Sequence, residues 1–299
     1  MDKLLKTIEE SILSDDKEKL IKLISNTSTI GIDDETIINY LRKFGDENKT
    51  LAEGTINING SGGSGYYKPN ISSIAGMYIS QLSEIPVVKT GSVAYSGIYG
   101  SSDFFNDLGL LNIKKRQEVF SKFGFAYYDY LEMSPWKKYK KILFGHPDFK
   151  RVFDKTVFFD YKASTYFLGI TNRKYHWGLN HHLCVDNRPD FLVTYCSETE
   201  KGIIDEAFPK GTIFVNDNEF QVCNTDYEMP MLEDVQSVKH INNLLLIGEE
   251  EGFWKEALAN TCALAFVSLG IVDSFEEGKE DFEKIYRDRV VKNILKQSY

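Results

Sequence analysis

The chain of 299 residues has few cysteines, and their arrangement does not indicate a cross-linked or metal-bound framework. The four are Cys184, Cys196, Cys223 and Cys262, and no two of them form a C-x-x-C pair. Short cysteine spacings are typical of structural zinc sites, and closely spaced even sets are typical of small secreted domains. The sequence therefore predicts reduced, scattered thiols, as in a cytoplasmic protein.

Long hydrophobic runs and a signal sequence are also lacking. The longest apolar segment, 263–272, is interrupted by Ser268 and Gly270 and is shorter than the about 20 residues that a membrane-spanning helix needs. The first residues, MDKLLKTIEE, carry acidic side chains and no apolar signal core. We expect a soluble protein of the cytoplasm.

Positive charge is in deficit, because 35 Lys and Arg residues stand against 44 Asp and Glu residues and give a formal net charge of −9. Such a field repels the phosphate backbone of nucleic acids at long range, which disfavours a dedicated nucleic-acid-binding function. The basic run KKYKK at 137–141 is interpreted as a solvated helix face. The composition, 42% hydrophobic and 26% charged, is that of a globular protein.

The order of helical and strand patterns predicts an α/β protein with two domains. Leucines and isoleucines at helical spacing in 3–13 and 17–25 predict short helices at the start. After Gly54, strand-like and helical runs alternate as TINING, ISSIAGMYISQL and IPVVK, then FLVTYC and TIFV, with final helices near 252–270 and 274–296. This alternation indicates a central, mostly parallel sheet flanked by helices. We expect a small helical domain at 1–50, completed by part of 105–150, and an α/β domain at 51–299.

Two loops of small residues follow predicted strands and are candidates for phosphate binding. The first, GSGGSG at 60–65, precedes the helix predicted from Ile71. Glycine lets backbone N–H groups approach an anion without interference from a Cβ atom, and a following helix directs its N-terminus at the anion. The second loop, KTGS at 89–92, adds the cation of Lys89. Two such loops in one sheet can hold the two ends of a doubly phosphorylated sugar.

Several short motifs occur in an order that resembles the anthranilate phosphoribosyltransferase family. They are GSGGSG at 60–65, NISS at 70–73, VVKTGS at 87–92, GSSD at 100–103, HP at 146–147, LGITN at 168–172 and GIIDE at 202–206. The resemblance covers residues 35–297, and the ordered set is more specific than any single motif. It implies a pentosyltransferase of tryptophan biosynthesis that uses phosphoribosyl pyrophosphate and Mg2+ and forms a homodimer. The expected acceptor is a nitrogen of anthranilate or a related small aromatic molecule, and pyrophosphate is released.

Carried over position by position, the resemblance implies three groups of site residues. Phosphoribosyl pyrophosphate would be bound by Gly60, Ser61, Gly62, Gly63, Asn70, Ser72, Ser73, Lys89, Gly91 and Ser101. The acceptor would be bound by Gly60, Ser92, His146 and Lys162. Mg2+ would be held by Ser72, Asp205 and Glu206, whose oxygen atoms suit a hard cation. No catalytic nucleophile is expected, because metal ions, backbone amides and positioning of the amine supply the catalysis.

The chain departs from the family pattern at several positions. Ser64 stands where the family's glycine loop ends in aspartate, and Thr90 and Ser92 replace the His and Asn of its Lys-His-Gly-Asn loop. The family's arginine for the anthranilate carboxylate falls at Thr156, beside Lys155. A lysine cannot make the two parallel bonds of a guanidinium group. We therefore expect an acceptor that keeps the aromatic amine or ring nitrogen but lacks that carboxylate or presents it elsewhere.

Two alternatives stay open on the sequence. A phosphorylase of pyrimidine nucleosides would share the fold, but the Lys-x-Ser-Gly-Arg type of loop that it would need is absent from the sequence. A non-catalytic relative that binds a ligand or a nucleic acid would keep the scaffold while changing loop residues such as Ser64, Thr90 and Ser92. The acidic net charge opposes the nucleic-acid form of this alternative.

Overall fold

The computed structural model describes residues 3–26, 36, 54–60, 67–83, 85–91, 99–129, 138–143, 145–146, 149, 163–171, 191–200, 202–216, 218–221 and 227–292. The chain divides into two compact units, one formed by residues 1–51 and 129–162 and the other by residues 52–128 and 163–299. The division into two independently folding domains stays a prediction, with bounds of 1–50, completed by part of 105–150, and 51–299.

The described helices and strands are numbered in chain order. The helices are α1 Lys3–Leu13, α2 Lys17–Asn26, α3 Ile71–Ser83, α4 Ser101–Asp107, α5 Ile113–Phe123, α6 Lys140–Leu143, α7 Val235–Ile247, α8 Phe253–Ser268 and α9 Phe275–Arg287. The strands are β1 Ile56–Gly60, β2 Val87–Gly91, β3 Phe125–Asp129, β4 Thr165–Gly169, β5 Phe191–Thr199, β6 Gly202–Ile204, β7 Thr212–Val215 and β8 Asn218–Gln221.

The smaller unit contains the short helices α1, α2 and α6. Leu5 and Leu20 are fully buried, as apolar residues at helical spacing predict for amphipathic helices. Asp15, between α1 and α2, accepts hydrogen bonds from the ammonium of Lys138 and the hydroxyl of Tyr139. The ion pair of Asp15 with Lys138 is exposed and therefore contributes little to stability.

The larger unit is built on a mixed, mostly parallel eight-stranded sheet, which confirms the predicted α/β fold class. The strand order is β3-β2-β1-β4-β5-β7-β8, and β6 pairs with β5. Strand β1 runs parallel to β2 and β4, and β4 runs parallel to β5, whereas β6, β7 and β8 pair in antiparallel fashion. The carboxyl ends of β2, β1 and β4 therefore lie at one edge of the sheet, where open α/β sheets usually bind ligands.

Three helices pack together beside this sheet and hold α3 in place. Helix α8 is buried along nearly its whole length, as expected for a helix that is apolar all round. Gly278 of α9 lets the helices approach closely, since a Cβ atom there would lie 3.0 Å from the Cα atom of Ala263. Tyr78 of α3 packs edge-to-face on Phe282 of α9, with ring centroids 5.4 Å apart, and donates a hydrogen bond to the carbonyl oxygen of Leu245. These contacts fix α3 in the core.

Within the described ranges, none of the helices combines the length and apolar character that crossing a membrane would require.

Candidate active site

The carboxylate pair Asp205 and Glu206 follows strand β6 directly and is buried, with 1% and 3% of the two residues exposed. The hydroxyl of Ser197 on β5 donates to the carbonyl oxygen of Glu206 and accepts from the N–H of Phe208, both at 2.8 Å. Phe208 is anchored in the core against Phe253, with ring centroids 5.0 Å apart. Hydrogen bonds and apolar packing therefore fix the turn that carries the two acids.

Two glycines at the ends of neighbouring strands let the acids come close to the sheet. A Cβ atom at Gly169 would collide with the backbone carbonyl oxygen of Asp205. A Cβ atom at Gly60 would lie 3.2 Å from Asp205 Oδ2 and 3.3 Å from Ser72 Oγ. The carboxylate of Asp205 and the hydroxyl of Ser72 therefore face the same point at the end of β1.

The ammonium group of Lys68 lies between the two carboxylates. Lys68 Nζ donates to Asp205 Oδ1 at 2.5 Å and to Glu206 Oε1 at 2.8 Å. The second carboxylate oxygen of Glu206, Oε2, is buried and has no hydrogen-bond partner among the described residues. Lys68 was not among the predicted site residues, although its position between the glycine-rich loop and Asn70 places a cation beside the predicted phosphate site.

The charges of this cluster shift the pKa values of its members. Burial by itself lowers the pKa of Lys68, but the charges of Asp205 and Glu206 outweigh this effect and raise that pKa above its usual value. Burial raises the pKa of Glu206 to about 7, the ammonium of Lys68 opposes the rise, and the charge of Asp205 adds to it. Two buried acids thus share one ammonium group.

A second group of predicted residues meets where β2 ends and α3 begins. Ser73 Oγ donates a hydrogen bond to Ser101 Oγ at 3.2 Å. A Cβ atom at Gly91 would lie 2.8 Å from the Cβ atom of Ser101. Ser73 also lies in the first turn of α3, whose N–H groups favour an anion. Three of the residues predicted to bind phosphate are therefore neighbours at this edge of the sheet.

Lys89, the predicted phosphate-binding cation, is buried in a polar network inside the sheet. Its ammonium donates to the carbonyl oxygen of Thr90 at 2.7 Å and to Asn59 Oδ1 at 3.3 Å. The hydroxyl of Thr90 in turn donates to Asn57 Oδ1 at 2.9 Å. Burial lowers the pKa of Lys89 to about 7. The negative charges of Glu206 and Asp205 oppose this effect but do not outweigh it. The sequence analysis missed the supporting amides of Asn57 and Asn59.

Asn70 immediately precedes α3 and is paired with Asn242 of α7. The backbone N–H of Asn70 donates to Asn242 Oδ1, and Asn242 Nδ2 donates to Asn70 Oδ1, both at 2.8 Å. This two-way pair orients the chain where it enters α3. Asn242 was not predicted, because it lies 172 positions from its partner and is one of several polar residues of its helix.

The structure thus brings a large part of the predicted set to one edge of the larger unit. The residues gathered there are Gly60, Asn70, Ser72, Ser73, Lys89, Gly91, Ser101, Asp205 and Glu206. Except for His146, the other predicted site residues lie outside the described ranges: Ser61, Gly62, Gly63, Ser92 and Lys162. The positions that depart from the family pattern, Ser64, Lys155 and Thr156, also lie outside those ranges. His146 belongs to the other compact unit, where it is buried with its ring 6.2 Å from that of Phe149.

The oxygen atoms of Ser72, Asp205 and Glu206 fit a divalent cation such as Mg2+ in their chemistry. Mg2+ prefers one or two carboxylates and completes its coordination with water and substrate phosphate. The buried Oε2 atom of Glu206, without a hydrogen-bond partner among the described residues, offers a further oxygen atom to such a cation. The ammonium of Lys68 already contacts both carboxylates, so a metal ion there would meet a resident cation.

The fold of the chain is similar to that of several solved enzymes. Anthranilate phosphoribosyltransferase from Thermus thermophilus superposes with a TM-score of 0.68 at 17% identity, over 99% of this chain and 93% of that one. The fold is that of the anthranilate phosphoribosyltransferases. The Saccharomyces cerevisiae enzyme in complex with phosphoribosyl pyrophosphate and Mg gives 0.68 at 14% identity, over 98% of this chain and 96% of that one. The same yeast enzyme with 4-fluoroanthranilate gives 0.62 at 13% identity, with the same coverage. No protein-family model and no curated protein sequence matches this chain.

Proposed function

We propose that this protein transfers a 5-phosphoribosyl group from phosphoribosyl pyrophosphate to a nitrogen of a small aromatic acceptor, with Mg2+ and with release of pyrophosphate. The observation that carries the proposal is the meeting of Gly60, Ser72 and Asp205 at the end of β1. The carboxylate of Asp205 and the hydroxyl of Ser72 provide oxygen ligands for a metal ion. The start of α3 beside them, close to the glycine that ends β1, provides backbone donors for a phosphate. The fold of the solved phosphoribosyltransferases supports the same function.

In the proposed reaction, the bond between C1 of the ribose and the pyrophosphate oxygen breaks, and its electron pair leaves with the pyrophosphate. The acceptor nitrogen forms the new bond to C1 and loses a proton. Positive charge develops on the sugar ring while negative charge develops on the leaving group, so donors that bind the leaving oxygens lower the barrier. When bound by Ser72, Asp205 and Glu206, Mg2+ supplies neutralisation of phosphate charge.

The residues of this chain then act by binding and positioning. We assign the pyrophosphate end to Gly60 and the loop residues that follow it, together with Asn70 and Ser72. The other phosphate oxygens are assigned to Ser73, Lys89, Gly91 and Ser101, of which Ser73 and Ser101 already contact each other. Acceptor binding by Gly60, Ser92, His146 and Lys162 is part of the same proposal.

A ligand-binding protein without turnover is the second candidate function. The observation that favours it is the ammonium of Lys68 between Asp205 and Glu206, where the first proposal requires a metal ion. Such a protein would bind phosphoribosyl pyrophosphate, or another doubly phosphorylated sugar, without transferring its ribosyl group.

Pyrophosphate release separates the two candidates. The purified protein is incubated with phosphoribosyl pyrophosphate, Mg2+ and a panel of anthranilate, neutral aromatic amines and nitrogen heterocycles. We expect acceptor-dependent release of pyrophosphate by the parent protein. In Glu206→Gln the rate of release should fall by about tenfold or more, because the proposed metal ion loses an anionic ligand. Glu233→Gln, which changes an exposed glutamate, is the matched control and should leave the rate unchanged. Binding without release for every acceptor would contradict the transferase proposal and support the ligand-binding protein.

A further inference from the structure

Lys68 makes the shortest ionic contacts of the candidate site. Its ammonium nitrogen lies 2.5 Å from Asp205 Oδ1 and 2.8 Å from Glu206 Oε1, with the two carboxylate side chains 2% and 4% exposed. A cation in this position offsets the cost of burying two negative charges, which is large for unpaired carboxylates. The chain therefore carries its own counter-ion for the acid pair.

A divalent cation and this ammonium group would require the same oxygen atoms. Mg2+ binds carboxylate oxygens at about 2.0–2.1 Å, closer than the ammonium does, and two cations on one pair of oxygens repel each other strongly at low dielectric. The contacts of Lys68 with Oδ1 and Oε1 use one oxygen of each acid. Occupation by both cations at once is therefore unfavourable.

The side chain of Lys68 has a route out of the pair. It is 15% exposed, although both of its partners are almost completely buried. Lysine carries its charge on a flexible four-carbon stem. Lys68 lies between the glycine-rich loop and the start of α3, where residues 67–70 form neither helix nor strand. Moving the ammonium away from the carboxylates therefore does not require a helix or strand to unfold.

We propose that Lys68 is a resident counter-ion that competes with Mg2+ for Asp205 and Glu206, so that a divalent cation binds this site only by displacing the Lys68 ammonium. The inference rests on the proposed function, in which these acids hold Mg2+. It adds a residue that sets how tightly the metal ion is held before the phosphorylated sugar arrives. The free protein then binds divalent cations weakly, and the phosphates of the substrate contribute the remaining affinity.

The first test measures metal affinity in the absence of substrate. Mn2+ is titrated into the parent protein and into Lys68→Met, a neutral side chain of similar length, and free Mn2+ is followed by its electron paramagnetic resonance signal. Loss of the competing charge should tighten Mn2+ binding by about tenfold or more, the size of effect that a neighbouring charge has on ion binding. Lys122→Met, which removes an exposed lysine paired with Glu118 at 2.7 Å, is the matched control and should not change the affinity. Equal or weaker Mn2+ binding by Lys68→Met overturns the proposal.

The second test uses the parent protein and does not depend on how well the variant folds. Lysines are reductively methylated with and without Mn2+, and the modification of each is quantified by peptide mass spectrometry. The proposal predicts that Lys68 is protected in the metal-free protein and becomes reactive when Mn2+ binds, while the exposed Lys122 reacts equally in both. Protection of Lys68 that Mn2+ leaves unchanged contradicts displacement.

Glu206→Gln, introduced into the Lys68→Met background, separates failure of this inference from failure of the metal assignment. If it weakens Mn2+ binding while Lys68→Met alone has no effect, the acids hold the metal and the competition is wrong. If it leaves a tight Mn2+ site intact, the metal lies elsewhere and both the inference and the metal assignment fail.

Discussion

Lys89 lies near the carboxyl end of β2 with its ammonium group enclosed by the carbonyl oxygen of Thr90 and the side chain of Asn59. Only 1% of the residue is exposed, and burial lowers its pKa to about 7. Under the proposed function, a lysine with such a pKa would gain its full charge when a phosphate binds. The buried amides of Asn57 and Asn59 keep such a lysine tolerable in the free protein.

The lowered pKa of Lys89 predicts a pH dependence of stability. Its folded value of about 7 lies below its ordinary value of 10.5, so between these limits the unfolded chain binds more protons than the folded one. The free energy of unfolding should therefore rise with pH from 7 to 10, by up to about 1.4 kcal/mol per pH unit from this group. Urea unfolding of the parent and of Lys89→Met at several pH values measures the difference.

In Lys89→Met this rise should be missing, so the two stability curves should diverge only above pH 7. Glu206 is an internal check, because its raised pKa of about 7 makes stability fall between its ordinary value of 4.5 and 7, outside that window. Parallel curves from pH 7 to 10 would show that Lys89 keeps an ordinary pKa in the folded protein.

At the level of single residues, the sequence predicted those that belong to contiguous motifs. Gly60, Ser72 and Asp205 each lie in a short motif of the resemblance, and the structure brings them together. Lys68 and Asn242 were missed for a physical reason: each acquires its role from a partner more than 130 positions away in the chain. Local pattern carries no information on which distant side chain a polar group will meet.

Among the elements, the start of α3 depends on α7. Asn242 holds both the backbone N–H and the side chain of Asn70. We expect Asn242→Ala to lower the free energy of unfolding by about 1–3 kcal/mol, because buried polar groups lose their partner, and to weaken phosphoribosyl pyrophosphate binding. Asn243→Ala, its exposed neighbour on the same helix, should stay within about 0.5 kcal/mol of the parent and bind normally. Chemical unfolding and calorimetry test both effects, and equal behaviour of the two variants would contradict the role of Asn242.

The end of β4 should be equally sensitive, because the turn carrying Asp205 passes directly over Gly169. Gly169→Ala places a methyl group against a backbone carbonyl oxygen that cannot rotate away, which should cost about 1–3 kcal/mol and displace the acid pair. We expect the variant to lose the effect of Mg2+ on phosphoribosyl pyrophosphate affinity. The control is Gly54→Ala, where a Cβ atom meets nothing and only a positive φ of 81° is disturbed. Retained Mg2+ dependence in Gly169→Ala would show that the close approach is not needed.

The helices and strands that the sequence predicted are those with a clear hydrophobic pattern and with glycine or polar residues at their boundaries. Strands β1, β2, β5 and β7 and helices α3, α8 and α9 all lie where apolar runs bounded by glycine or polar residues placed them. Strand β4 was not among the predicted strands. Only its last two residues, Leu168 and Gly169, lie in the LGITN motif, although Thr165–Gly169 pairs with both β1 and β5. Its place in the sheet is set by its register with β1 and β5, and the pairing of distant segments leaves no local pattern in the sequence.

On the scale of the whole molecule, the ordered motifs predicted the fold. The solved structures with this fold are 13–17% identical to the chain, and superposition shows the similarity.

The acceptor is where the chain should differ from its structural neighbours. By the resemblance, Thr156 stands where the family has the arginine for the anthranilate carboxylate, so a carboxylate there loses charge-assisted bonds of about 1.5–3 kcal/mol each. We expect kcat/KM for anthranilate to be about tenfold or more below that for the best neutral aromatic amine, measured by pyrophosphate release. Thr156→Arg should narrow the gap, and efficient turnover of anthranilate by the parent would show that the acceptor pocket is misread.

The central claim is that one edge of the sheet binds phosphoribosyl pyrophosphate with a metal ion held by Asp205 and Glu206. Calorimetric titration of phosphoribosyl pyrophosphate with and without Mg2+ tests it most directly, in the parent and in Glu206→Gln. We predict that Mg2+ tightens binding to the parent by about tenfold or more and has little effect on Glu206→Gln, which lacks one anionic ligand. Equal affinity with and without Mg2+ in the parent, or an undiminished Mg2+ effect in Glu206→Gln, would contradict the account.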